Sequence, residues 1–310
     1  MDGVKRYGLR FGLLGPPVLY EPAVRPIGSP KLRALLATLL LEAGHVVSVE
    51  ALKDALWDGA PPASAQASLH NHVTRLRRLL DDPERLRAVP PGYVLRVERG
   101  ELDLHLFETR LAEARAAHAG ADWARVVRAC AEALALWRGA PLGGLPSGLG
   151  RYAVVQRLEE GRLLLLEWRY DAELALGGDR PAGLVPELTA LAAEYPLREA
   201  YHRQLMLALL RTGRRAEALA VHRDLRARLA DELGVEPGPA VRAAHLEVLR
   251  HDGGPDPAGD AASPASPASP VGPSGRPGST ETSEACGGPE ASGVSDTPGP
   301  TERRGPTEQP

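Results

Sequence analysis

Cysteine is nearly absent from this chain: Cys130 and Cys286 are the only two in 310 residues. One falls in a helical pattern and the other in a stretch without apolar periodicity, so neither a disulfide framework nor a cysteine metal cluster can be assembled. A reducing cytoplasm is the expected setting. No apolar run approaches the roughly 18 residues of a membrane span, and the densest, Leu35 to Leu41, is short. The opening MDGVKRYGLRFGLLG sets basic residues ahead of an apolar stretch but lacks the length and the small-residue cleavage site of an export signal. There is no GxxxxGK[ST] loop, which leaves nucleotide hydrolysis without support. No Ser-His-Asp set or paired carboxylates sit in a glycine-flanked turn, so neither an enzyme nor a cofactor is expected. The net charge of −3 argues against a binder that is basic all over.

Charge is regional, however. Lys5 to Glu98 holds 13 Lys or Arg against 9 Asp or Glu, so the acidity lies further on. Within this basic part, Leu9–Leu14, Val18–Glu21 and Val24–Ile27 are short pieces divided by Pro16-Pro17 and Pro22, as in a small antiparallel sheet. Ser29-Pro30 then opens a helix, with a capping hydroxyl followed by proline at the first helical position. Its leucines mark it as central, Lys31 and Arg33 mark the side expected to be exposed, and Gly44 ends it. Ser48 caps a second helix, Val49–Trp57, which stops at Asp58-Gly59. Pro61-Pro62 leads stiffly into a third.

That third helix carries the sharpest signal. Leu69, Val73, Leu76 and Leu80 fall at offsets of four, three and four, forming one apolar stripe. The opposite face carries Asn71, Thr74, Arg75 and Arg78, and a major groove admits one such helix, where Asn and Arg make two-point contacts with base edges. Asn71 and Arg75, one turn apart, suit bases, whereas Arg77 on a flank suits phosphate. His70 and His72 do not form a metal pair, because positions two apart on a helix point about 200 degrees apart. His72 is left as a phosphate contact or a packing residue. A hairpin follows, Leu86–Val89 and Tyr93–Val97 around Pro90-Pro91-Gly92. The candidate DNA-contacting residues are Ser68, Asn71, His72, Thr74, Arg75, Arg77 and Arg78 from the helix, with Arg87, Gly92 and Tyr93 from the hairpin.

Sheet, three helices and hairpin in this order resemble the winged-helix DNA-binding domain of response regulators. The wording of LRALLATLLLEAG, VVSVEALKDALW, PPASAQASLHNHVTRLRRLL and PPGYVLRV is similar to the Streptomyces antibiotic regulatory protein family. In that resemblance, Tyr93 braces the wing against the recognition helix.

Leu102 to about Arg250 is helical throughout. Phe107, Leu111 and Ala114 are spaced four and three, Trp123–Trp137 repeats the pattern, and Pro196, Gly213 and Gly234 divide the later helices. Trp57, Trp123, Trp137 and Trp168 lie on apolar stripes and are expected in the core. LLRTGRRAEALAVH has the Gly-turn and Ala-packing character of a degenerate tetratricopeptide repeat. ELDLHLFETRL, ALALWRGAPL, EYPLREAYHRQLM and RLADELGVEPGPAVRAAH resemble the bacterial transcriptional activator domain of the same family, which carries the likeness over roughly residues 5–250. Beyond His251, ASPASPASP and its surroundings hold almost no large apolar residue and are expected to be disordered.

The expected organisation is thus multidomain: an α+β winged helix-turn-helix over residues 1–99, an all-α tetratricopeptide-like domain over 100–250 and a disordered Pro/Gly/Ser-rich tail over 251–310. The resemblance implies an activator of a secondary-metabolite gene cluster in the cytoplasm, at the nucleoid. It implies binding to direct repeats in double-stranded DNA near promoters, self-association on DNA and recruitment of RNA polymerase holoenzyme. The alternative is an interaction scaffold in which the winged helix docks protein rather than DNA. The wing completes the reader, so a fragment ending at Arg99 is expected to bind DNA without activating transcription.

Overall fold

The structure is a computed structural model, and it describes residues 10–21, 23–145, 149–177 and 180–251. The tail expected to be disordered, and Cys286 with it, lies outside the described residues apart from His251. Three short strands, β1 (Phe11–Gly12), β2 (Val18–Glu21) and β3 (Ala23–Pro26), pair antiparallel in chain order, with Leu19 opposite Phe11 on one side and Arg25 on the other. Helix α1 (Pro30–Leu41) starts where the capping pattern places it: Ser29 is extended and its hydroxyl accepts the Leu32 N–H at 3.5 Å. Leu32, Leu35, Leu36, Leu39 and Leu40 are all buried, as a central helix requires.

Strand β4 (Val47–Ser48) leads directly into α2 (Val49–Trp57), whose first turn is capped by the Ser48 hydroxyl accepting from Ala51 N at 3.1 Å. Asp58 closes α2 in the left-handed region at φ 53°. Helix α3 (Ala65–Arg77) follows, then a single 3-10 turn at Pro83–Arg85 and the hairpin of β5 (Leu86–Val89) and β6 (Gly92–Leu95). Strand β6 is central in a second sheet, order β4-β6-β5.

The helical region comprises α4 (Asp103–Ala119), α5 (Trp123–Leu134), the long α6 (Leu149–Leu176), α7 (Arg180–Glu194), α8 (Glu199–Arg211), α9 (Arg215–Leu233) and α10 (Pro239–Arg250). Consecutive helices pack as hairpins. Gly234, at φ 67°, ends α9 in a conformation that side chains disfavour. None of these helices is long and apolar enough to cross a membrane.

Two hydrophobic clusters hold the described residues together. The first runs from Phe11 to Ala172, so the strands and α1–α3 share one core with α4, α5 and the first part of α6. The second runs from Tyr170 to Val248. All four tryptophans border the first cluster, partly buried, and Trp137 meets Phe107 edge to face at 5.4 Å. Cys130 is fully buried in it, and burial pushes its thiol up to about 12. Since the thiolate is the reactive species, Cys130 should resist alkylation until the chain unfolds, which mass spectrometry of the iodoacetamide-treated protein would report.

The strands do not merely lie beside the helical region; they depend on it for their hydrogen bonds. Arg10 N and Phe11 N donate to Glu101 O at 2.8 and 2.9 Å, while Leu13 O and Leu14 O accept from Leu142 N and Arg138 N at 2.9 and 2.7 Å. Leu13 N and Leu14 N donate to the two carboxylate oxygens of Asp103 at 2.8 and 3.1 Å. Arg138 closes the set, reaching Asp103 at 3.4 Å and Pro16 O at 3.0 Å. Asp103 is fully buried. Burial raises its pKa, and the two backbone donors and the Arg138 guanidinium oppose that rise.

The expected exposure of Lys31 and Arg33 is corrected. Both are half-buried; Lys31 Nζ donates to Leu56 O and lies 4.9 Å from the centre of the Trp57 ring. A lysine beside the end of another helix finds carbonyls and an aromatic face there, and the sequence of α1 alone does not reveal that α2 ends alongside.

Candidate nucleic-acid interface

Helix α3 is seated by the stripe that its sequence announces. Leu69, Val73 and Leu76 are at most 1% exposed and Leu80, just past the helix, is 8% exposed. The opposite face therefore turns outward, and Asn71, Thr74, Arg75 and Arg78 are all exposed. Thr74 donates its hydroxyl proton to His70 O at 3.0 Å, which leaves its methyl group and lone pair for an outside partner. Ser68 is half-buried at the edge of this face. Gln66 and His70, which the sequence reading did not select as contacts, are exposed on the same face and hydrogen-bonded to each other at 3.2 Å. Their spacing of four from one another and from Thr74 was the available signal.

The hairpin adds Arg87, exposed on β5 opposite Val94. Arg75, Arg78 and Arg87 make no ion pair with any described residue. Arg96, further along, is engaged by Asp82 and Glu98, both at 3.4 Å. Three exposed guanidinium groups without ion-pair partners, one on α3, one at its C-terminal cap and one on the following hairpin, are suited to a polyanion.

Four expected contacts take other roles. Arg77 donates Nε to Leu86 O at 2.9 Å and is half-buried, so it ties α3 to β5 instead of standing free on a phosphate flank. Gly92 is buried where β6 crosses β4, and a Cβ there would fall 1.8 Å from Val47 O; the position admits no side chain and presents no surface to DNA. Tyr93 is 8% exposed, paired with Val47 on one side and Ala88 on the other, and belongs to the first core cluster. His72 is half-buried with Nδ1 enclosed and without a partner. Burial first, then Arg75 and Lys31, lower its pKa, so it is neutral at pH 7 and suited to packing rather than to holding phosphate. Among the described residues no group of three His, Cys, Asp or Glu could hold a metal.

Arg85 fixes the base of the hairpin. It is 8% exposed and holds Glu101 through both terminal nitrogens at 2.7 and 2.8 Å, with Asp81 at 3.2 Å. Its two partners raise its pKa, Glu101 foremost, against the opposing effect of burial. The segment after α3, the hairpin and the start of the helical region are thereby joined by charged hydrogen bonds.

A three-helix unit that buries one face of α3, turns Arg75 and Arg78 outward and adds a braced hairpin has the arrangement of a winged helix-turn-helix. Residues 26–95 match the family model "Transcriptional regulatory protein, C terminal", and residues 102–249 match "Bacterial transcriptional activator domain". The chain belongs to the Streptomyces antibiotic regulatory protein family of transcriptional regulators. It is 38% identical over 262 residues to the regulatory protein DnrI of Streptomyces peucetius, covering 80% of this chain and 94% of DnrI. Against the regulatory protein AfsR of Streptomyces coelicolor it is 44% identical over 248 residues, covering 79% of this chain and 24% of AfsR, so it spans about a quarter of that relative. A solved structure of Mycobacterium tuberculosis EmbR, in complex with a low-affinity phosphopeptide, superposes with a TM-score of 0.70 at 38% identity, covering 78% of this chain and 65% of that one.

Proposed function

We propose that this protein activates transcription of a secondary-metabolite gene cluster, binding direct repeats near promoters through α3 and the β5–β6 hairpin and recruiting RNA polymerase holoenzyme. Protomers associate side by side on the operator, and the protein works in the cytoplasm at the nucleoid. The observation that carries the DNA-binding mode is the set of Arg75, Arg78 and Arg87, exposed and without ion pairs on α3, its C-terminal cap and the following hairpin. Asn71 and Arg75 read bases, and Arg87 neutralises phosphate. The helical domain supplies the larger surface for protomer and polymerase contacts, raising occupancy through linked sites.

The roles separate in a gel-shift series at several salt concentrations. Arg75→Ala should lower affinity for a specific promoter fragment by about 1–3 kcal/mol and relax preference at one base position. Arg87→Ala should weaken binding to specific and random DNA alike and reduce the salt slope by about 1. Arg77→Ala should show its effect first as a lower unfolding midpoint, since it loosens α3 from β5. Equal losses on specific and random DNA for Arg75→Ala would refute its base-reading role, and absence of salt-dependent binding to any promoter fragment would favour the scaffold reading.

A further inference from the structure

The last two helices hold a cluster that DNA reading does not use. On α9, Ala218, His222, Leu225 and Leu229 are buried at offsets of four, three and four. His222 thus occupies a position on the apolar stripe and is 8% exposed. On α10, Val241, Ala244 and Val248 form the facing stripe, and His245, beside Ala244, stacks on His222 with ring centres 3.7 Å apart and planes inclined by 12°. Neither imidazole makes a hydrogen bond with any described residue. An imidazole has a donor or an acceptor at each ring nitrogen, and neither ring has a nitrogen among the enclosed polar atoms, so these nitrogens remain open to a partner from outside.

Both rings line an open cavity of about 330 Å³ between α9, α10 and the turn that joins them. Arg226 stands one turn after His222, and Arg242 one turn before His245. The turn contributes Glu236, which holds Arg226 by two bonds at 2.7 and 2.9 Å and so neutralises it. Arg242 donates Nη1 to Pro237 O at 2.6 Å and has no carboxylate within ion-pair distance, leaving one unmatched positive charge at the cavity. The remaining lining is the stacked imidazole pair, Pro237 and Leu246. Burial, then the adjacent His245 and Arg226, lower the pKa of His222. The ring is therefore neutral near pH 7 and serves as a hydrogen-bonding group rather than a second charge.

We propose that this cavity binds a small planar organic acid, an aromatic monocarboxylate, with its carboxylate on Arg242 and the imidazole edges and its ring against Pro237 and Leu246. The volume is at the lower end of ligand sites, about 300–1,000 Å³, which excludes a folded peptide. A single unmatched arginine fits one carboxylate, because the guanidinium fork matches carboxylate geometry. Glu236 beside it disfavours a dianion. The mostly apolar walls require a flat hydrocarbon body, which inorganic phosphate lacks.

Isothermal titration of the full chain with sodium benzoate tests the site. Saturable one-to-one binding is expected, weakened about tenfold by Arg242→Gln, a charge-for-amide change worth roughly 1.4 kcal/mol. Arg250→Gln, which removes a charge from the same helix outside the cavity, should leave binding unchanged, and inorganic phosphate should bind at least about tenfold more weakly. Equal weakening by both substitutions, or parity between phosphate and benzoate, would overturn the proposal. A second measurement needs no variant: benzoate should shift the imidazole carbon resonances of His222 and His245 in the unaltered protein, and unmoved resonances would overturn it as well.

Discussion

Replacing Asp103 by alanine is expected to destabilise the folded chain by about 3–5 kcal/mol, lowering its thermal midpoint by on the order of 10 °C. The reason is the number of groups that converge on one buried carboxyl. Leu13 N and Leu14 N lose their acceptor, and the Arg138 side chain, reaching in from beyond α5, loses its carboxylate partner and keeps Pro16 O. Each buried donor left without a partner carries a desolvation penalty of about 1–3 kcal/mol. Asp103→Asn is the informative companion. It preserves shape, but an amide offers a single acceptor oxygen and turns its own N–H groups toward one of the backbone donors and Arg138. It should therefore rescue less than half of the loss. A midpoint close to that of the unaltered protein in the asparagine variant would mean that Asp103 contributes packing alone. The pH dependence runs with burial: an acid whose folded pKa is raised contributes stability at low pH that diminishes as pH rises from its unfolded value toward its folded one. The alanine variant should lack this component, so its loss relative to the unaltered protein should be larger at acid pH than at neutral pH.

The parts of the fold legible in the sequence are those with local causes. Ser29 before Pro30, Ser48 before Val49 and Asp58-Gly59 each mark a helix end through chemistry confined to one turn, and the Leu69–Leu76 stripe selects the outward face of α3 because helical geometry is fixed within it. The same logic recovered Asn71, Thr74, Arg75 and Arg78 as exposed. Contacts set by distant chain remained hidden. Gly92 and Tyr93 sit beside a proline turn and read as candidate DNA contacts until β4, more than 40 positions away, comes alongside β6. Arg77 differs from Arg78 by one position, yet the hydrogen bond to Leu86 decides which of the two faces outward. Asp103 sits at the first helical position of α4, where an acidic residue is ordinary, and nothing nearby signals that strands 90 positions earlier use it as their acceptor.

The same seam governs a truncation. A fragment of residues 1–99 contains the reader helix and the hairpin, yet it should fail to fold cooperatively and so bind promoter DNA far more weakly than the full chain, against the expectation from sequence that the reader is self-sufficient. Truncation removes Glu101 from Arg10, Phe11 and Arg85, removes Asp103 from Leu13 and Leu14, and removes the Arg138 and Leu142 amides from the Leu14 and Leu13 carbonyls. It also exposes the leucines and Phe11 that α4–α6 cover in the first core cluster. Four backbone donors without partners, at about 1–3 kcal/mol each where buried, together with a buried Arg85 guanidinium left with Asp81 but without Glu101, approach the whole stability of a small domain, about 5–15 kcal/mol. A fragment of residues 1–177 keeps every member of the seam and the α6 surface of that cluster. It should melt cooperatively and retain DNA binding. Circular dichroism melts and gel shifts on the two fragments decide the matter. A sharp transition in residues 1–99 with undiminished affinity would show that the winged helix re-satisfies these groups with water. Failure of both fragments would place the limit of cooperativity beyond α6, in the second cluster that begins at Tyr170 on the same helix.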